Sequence, residues 1–147
     1  MPVLLCTGIF ASGQSVNDSV MEPINNLFEG MLKADSVLVK SAFFADAKMF
    51  TSYKNKKGEE VIKEEQLKNF LFAIGSKKKD TPDWNEKLLS TEIKIDGGIA
   101  QVWSEYSFFV GDQFSHCGVN AFQLIRENSK WKIIHIMDTR RKKDCNK

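Results

Sequence analysis

Apolar residues recur along this chain first at helical and then at strand spacing. Between positions 16 and 33, Val20, Ile24, Leu27, Phe28, Met31 and Leu32 form the stripe of an amphipathic helix. Asn17 or Asp18 is placed to cap its start, which puts Pro23 in or near the first turn. Asp35 or Ser36 caps a second, shorter helix carrying Val37, Leu38, Val39, Phe43 and Phe44, and an extended run starts at Asp46. In that run Met49, Thr51 and Tyr53 alternate with Phe50, Ser52 and Lys54; the turn-like stretch 54–58 and a return through Val61 and Ile62 predict a hairpin. Helical spacing comes back between 64 and 75 as Leu67, Phe70, Leu71 and Ile74, with Gly75 as the C-terminal cap.

After Pro82 the pattern changes to strands. The runs 84–95, 99–110, 114–127 and 130–139 are separated by Asp96-Gly97-Gly98, Gly111-Asp112 and Asn128-Ser129, all tight-turn sequences. Helices first and a four-stranded antiparallel meander second, without repeated βαβ spacing, give an α+β fold with helices packed on one side of a bent sheet.

A chain of 147 residues with 42% apolar content is the size of one domain, taken to span 14–147. The formal charge of +2 argues against a dedicated nucleic-acid binder. Its basic runs, 54–57, 77–79 and 140–147, read as solvated turns and a chain end. Residues 1–13 are uncharged and too short to span a bilayer. They read as a secretory signal peptide with Ala11 and Gly13 before a cut, lacking the usual basic residue near Met1, or as an N-terminal extension packing on the core. A lipid-attached Cys6 is a third reading, with Leu5 where a small residue is wanted. The expected location is periplasmic or secreted if this segment is a signal, and cytoplasmic otherwise. Export would permit a disulfide between Cys117 and Cys145. The cysteines and histidines lack metal-ligand spacing, and no dinucleotide, phosphate-loop or haem motif occurs, so neither metal nor cofactor is expected.

The stretch Val102-Trp103-Ser104-Glu105-Tyr106-Ser107-Phe108, then Ser115-His116-Cys117-Gly118, Phe122-Gln123-Leu124, Trp131-Lys132-Ile133 and Asp138-Thr139-Arg140-Arg141, resembles the C-terminal meander of nuclear transport factor 2-like proteins. The nearest subgroup is the one labelled SnoaL-like or lumazine-binding-like; Gly30-Met31-Leu32-Lys33-Ala34-Asp35 and the run 46–53 resemble its helix pair and first strand. The resemblance implies a cone-shaped fold, N-terminal helices packed on a curved antiparallel sheet around a pocket. It also implies a homodimer through the outer face of the sheet, for which Phe108, Ile134 and Ile136 are candidates. Function is left open, because the superfamily hosts isomerases, dehydratases, cyclases, hydrolases and transport factors.

Pairing Phe109 with Phe114 and Arg126 with Trp131 across their turns places Trp103, Glu105, Ser107, His116, Asn120, Phe122, His135 and Met137 on one face. The opposite face then holds Tyr106, Phe108, Ile136 and Asp138. The first set has the make-up of a small-molecule pocket, with Trp103, Glu105, His116, Asn120, Phe122 and His135 as ligand-binding candidates and Tyr53 at the mouth. Either His116 or His135 is suited to act as a general base, with Glu105 or Asp138 as partner. Structural readings stand beside these: histidines bonded within the sheet, a surface-paired Glu105, and Asp138 paired with Arg140 or Arg141. Ser115 and His116, as neighbours on a strand, point to opposite faces, which argues against a serine nucleophile, and Cys117 has no evident activator. The resulting expectation is a protein that binds a small, partly apolar ligand. The alternatives are a cofactor-independent lyase or isomerase using a His/carboxylate pair, and a dimeric interaction module.

Overall fold

The computed structural model describes residues 15–145, so the readings made on residues 1–13, including Cys6, lie outside the described residues. Helix α1 (Val16–Lys33) is capped by Ser15, whose Oγ accepts from the Asp18 N–H at 3.1 Å while the Asp18 carboxylate accepts from the Ser15 N–H at 3.3 Å. This reciprocal box satisfies two orphan donors, and it moves the start ahead of the expected Asn17 or Asp18 cap. Pro23 consequently lies inside the helix, beyond its first turn. Ala34 ends α1 in the left-handed conformation, and Asp35 caps α2 (Ser36–Ala42) by accepting from the N–H groups of Val37 and Leu38. At Gly30 a Cβ would stand 2.5 Å from Val39 Cγ2, so the missing side chain lets the two helices approach.

The chain turns extended at Phe43, earlier than the expected Asp46, and runs as β1 (Phe43–Lys54), hairpin-paired with β2 (Glu60–Glu65). Helix α3 (Leu67–Gly75) ends on Ser76 in an αR conformation; Gly75 is its last residue, not a left-handed cap. The expected single run at 84–95 is two strands, β3 (Trp84–Leu88) and β4 (Glu92–Asp96), both antiparallel to β5 (Ile99–Val110). Then follow β6 (Gln113–Glu127) and β7 (Lys130–Arg140).

Among the described residues seven strands form one sheet in the order β2-β1-β7-β6-β5-β3, with β4 also on β5. It is not wholly antiparallel: β1 lies parallel to β7, which joins the N-terminal half to the meander. Among the described residues no helix is long and apolar enough to cross a membrane. The α1 stripe, Val20, Ile24, Leu27 and Met31, buries against the inner face of the sheet, where Phe122, Leu124, Ile133 and Ile136 wait. Phe28 meets the edge of Phe122 at 6.2 Å between ring centres. One face of the curved sheet is thus concave and helix-covered, and the other is outward.

Candidate functional site on the concave face

Two bulges decide which residues share that face. Phe109 pairs with Phe114 as its turn requires, but Phe108 pairs with His116, so Ser115 is an extra residue on β6. In the same way Gln123 pairs with His135 while Leu124 pairs with Ile133, which leaves Ile134 extra on β7. An extra residue inverts the alternation beyond it. The face expected from the turns alone is therefore corrected. Ser104, Tyr106 and Phe108 of β5 join His116, Asn120 and Phe122 of β6 and Asp138 of β7 on the concave side. Trp103, Glu105, His135 and Met137 fall on the outer side, where Trp103 is 49% and Met137 48% exposed. Phe108 and Ile136, expected on an outer dimer face, are on the inner one, and Ile136 is part of the core.

Of the expected site residues, His116, Asn120, Asp138 and Tyr53 share the concave face. Tyr53 follows Thr51 by two positions on β1 and stands opposite Arg140. Phe122 is fully buried in the core. His135 instead meets Phe50, ring edge to face at 5.8 Å.

Asp138 organises the site. Its Oδ1 accepts from the Thr51 hydroxyl at 2.5 Å, and its Oδ2 accepts from Arg140 Nε at 2.9 Å and from the Tyr106 hydroxyl at 3.2 Å. The Tyr106 hydroxyl also reaches the Thr139 carbonyl at 2.8 Å. That carbonyl has left the ladder: the Val119 N–H donates to Thr139 Oγ1 at 3.1 Å. Gly118 makes this possible, because a Cβ there would lie 1.8 Å from the Thr139 oxygen. Burial, with Asp138 and Glu86 nearby, pushes the Tyr106 phenol far up, so it stays a neutral donor.

Across the face, Asn120 Nδ2 donates to Glu86 Oε1 at 2.6 Å. Glu86 alternates with Trp84 and Leu88 on β3; it stands opposite Phe108, and Leu88 stands opposite Tyr106. Burial pushes its carboxyl up to about 7, opposed by the Asn120 bond and seconded by the Asp138 charge. The His116 ring lies on Phe108 at 5.0 Å and meets Tyr106 at 5.8 Å. Burial, then the charge of Arg140, pushes its imidazole down to about 4. The bulge also brings Ser115 Oγ within 3.0 Å of His116 Nδ1, against the expectation that neighbouring strand residues part to opposite faces.

Glu86 and Thr51 are functional candidates that sequence reasoning passed over, and Tyr106 is one that it placed on the opposite face. A signal existed for Glu86: in Trp84-Asn85-Glu86-Lys87-Leu88 the carboxylate occupies the apolar side of a strand alternation. Surface depressions lie elsewhere. One is lined by Glu92, Lys94, Gln101 and Trp103; another, of about 400 Å³, includes Ile95, Ile99, Leu124 and Ile134. Both are open, and neither takes ionisable groups out of water as the concave cluster does, so the cluster is the better site.

The Cys117 and Cys145 sulfurs form a disulfide with Cα atoms 5.8 Å apart. It ties the tail to β6, where the backbones of Cys117 and Arg141 exchange two hydrogen bonds of 2.9 Å.

Comparison with known proteins agrees with this architecture. The sequence pattern of the family described as "Putative lumazine-binding" matches residues 15–137. No match was found among the curated proteins. Similar solved structures include a nuclear transport factor 2-like protein of unknown function from Shewanella baltica, 16% identical, with a TM-score of 0.63, covering 88% of this chain and 99% of that one. A Nostoc punctiforme protein of unknown function with a cystatin-like fold is 14% identical with a TM-score of 0.66, over 88% of this chain and 95% of its own. A Novosphingobium aromaticivorans nuclear transport factor 2-like protein is 10% identical with a TM-score of 0.67, over 87% and 83%. At such identities the likeness is one of fold.

Proposed function

The chain belongs to the family described as "Putative lumazine-binding" and to the nuclear transport factor 2-like superfamily, and on that premise we propose that it binds a small, partly apolar ligand in the concavity of its sheet. The observation that carries this reading is the Asp138 cluster. A carboxylate, a neutral phenol, a hydroxyl and a guanidinium converge on a wall otherwise made of aromatic and aliphatic side chains. A few convergent polar groups on an apolar wall are the make-up of a small-molecule site. Native mass spectrometry of protein purified from its own host tests it. The expected result is a retained small molecule, released on denaturation and lost in Tyr106→Phe; bare protein in every preparation contradicts the reading.

A second reading, a cofactor-independent lyase or isomerase, is favoured by Glu86. A carboxyl held near 7 can give or take a proton at neutral pH, which His116, neutral and weakly basic, does poorly. On that reading Glu86→Gln removes turnover and His135→Ala, on the outer face, leaves it intact. A third reading, a homodimer through the outer face, is supported by the exposure of Trp103 and Met137. Light scattering at working concentration separates dimer from monomer. The Cys117–Cys145 disulfide supports an oxidising compartment, such as the periplasm or the exterior. Mapping the mature N-terminus and counting free thiols in native protein tests that.

A further inference from the structure

Three basic runs that are distant in sequence lie at one end of the sheet. β1 and β7 are parallel, with Tyr53 opposite Arg140, so the turn bearing Lys54, Lys56 and Lys57 lies beside the tail that starts at Arg140. β7 ends beside the start of β6, β6 starts where β5 ends, and β5 ends opposite Trp84. The loop 76–83, with its own three lysines, leads into Trp84 and so enters the same rim. Acidic residues such as Glu59, Asp80 and Asp112 temper this rim without cancelling it.

Lys77 differs from the other lysines there. Lys78 and Lys79 are exposed, whereas the Lys77 ammonium is out of water, 5.0 Å from the centre of the Trp84 ring, with no hydrogen-bond partner among the described residues. The ring face offsets part of its desolvation. Three N–H donors remain unspent, and a buried charge without a counter-charge is unfavourable. Trp84 stands on the same side of β3 as Glu86, and its neighbours across the strand lead to Phe108. A lone buried ammonium on an aromatic wall, behind a basic rim, is the complement of an aromatic anion.

Resting on the reading that the concavity holds a small, partly apolar ligand, we propose that this ligand is an aromatic carboxylic acid, its ring lying along Trp84 and Phe108 and its carboxylate paired with Lys77. The pairing is a charge-assisted hydrogen bond in a desolvated place, and the rim raises the local concentration of anions.

The test is calorimetric titration of the full chain with 2-naphthoate and with its neutral isostere 2-naphthamide, at low and high salt. The acid is expected to bind about tenfold more tightly than the amide at low salt, with the preference shrinking as salt rises. Lys77→Met should abolish the preference, and Lys77→Arg should keep it. Equal binding of the two probes overturns the acid inference alone and leaves the pocket reading standing. A preference that survives in Lys77→Met also overturns it. Binding of neither probe overturns the pocket reading and this inference together.

Discussion

The two faces of the sheet carry similar residue types and differ in how these are joined. The outer face has an aromatic ring, a carboxylate and an imidazole in Trp103, Glu105 and His135; the concave face has Tyr106, Asp138 and His116. On the concave face the polar groups are linked to one another and withdrawn from water, and two of them, Glu86 and His116, have pKa values moved far from the ordinary. On the outer face Trp103 is half exposed and His135 has a ring neighbour in Phe50. Residue type alone therefore does not mark a site in this fold. Convergence and burial do.

The sharpest way to break this contrast is Gly118→Ala. Its Cβ would overlap the Thr139 carbonyl and push apart the strands beneath Tyr106, so a loss of about 3 kcal/mol or more is expected in chemical denaturation, from overpacking that nothing flexible can relieve. Tyr106→Phe removes one donor and leaves the Thr139 carbonyl and an Asp138 lone pair short; about 1–3 kcal/mol should be lost in the same assay.

Glu86 and His116 sharpen the contrast through pH. The folded pKa of Glu86 is raised, so its stabilising effect is full below its ordinary 4.5 and is lost as pH rises to about 7. The folded pKa of His116 is lowered, so its contribution is present above its ordinary 6.5 and is lost as pH falls to about 4. Between about 4.5 and 6.5 the two slopes oppose each other. Glu86→Gln should unmask the histidine, so that stability rises with pH across that interval by about 2 kcal/mol more than in the parent. A Tm profile against pH reads this, and parallel profiles would refute it. The smallest effect is expected on the outer face: Trp103→Ala should change monomer stability by about 0.5 kcal/mol or less in chemical denaturation.

How much of this was legible beforehand follows from the range of the interactions. Helices α1 to α3, the hairpin at 54–58 and the turns of the meander are local, and periodicity and turn residues reveal them. The parallel β1–β7 contact joins positions such as Thr51 and Asp138, 87 residues apart, and no local pattern announces it. The split between β3 and β4 was likewise hidden, because Leu89 continues the apolar run that the strand abandons. The single extra residues at Ser115 and Ile134 mattered most for the site. Strand and turn assignments survive them, but each inverts the faces beyond it. Asp138 accordingly moved to the side of Asn120, while Trp103, Glu105 and His135 left the company of His116. Lys77 had no signal at all, since it sits in a run of three lysines of which two are plain surface.

The central claim is that ligands enter the concave face, and the three tryptophans report on it separately. Trp84 is half-buried on the concave side of β3, Trp131 is in the core and Trp103 is outside. The decisive measurement follows the three indole N–H signals by nuclear magnetic resonance during titration with small aromatic fragments. A saturable shift of Trp84, with Trp103 unmoved, is the predicted result. A shift confined to Trp103 would contradict the account and make the outer face the working surface of the molecule.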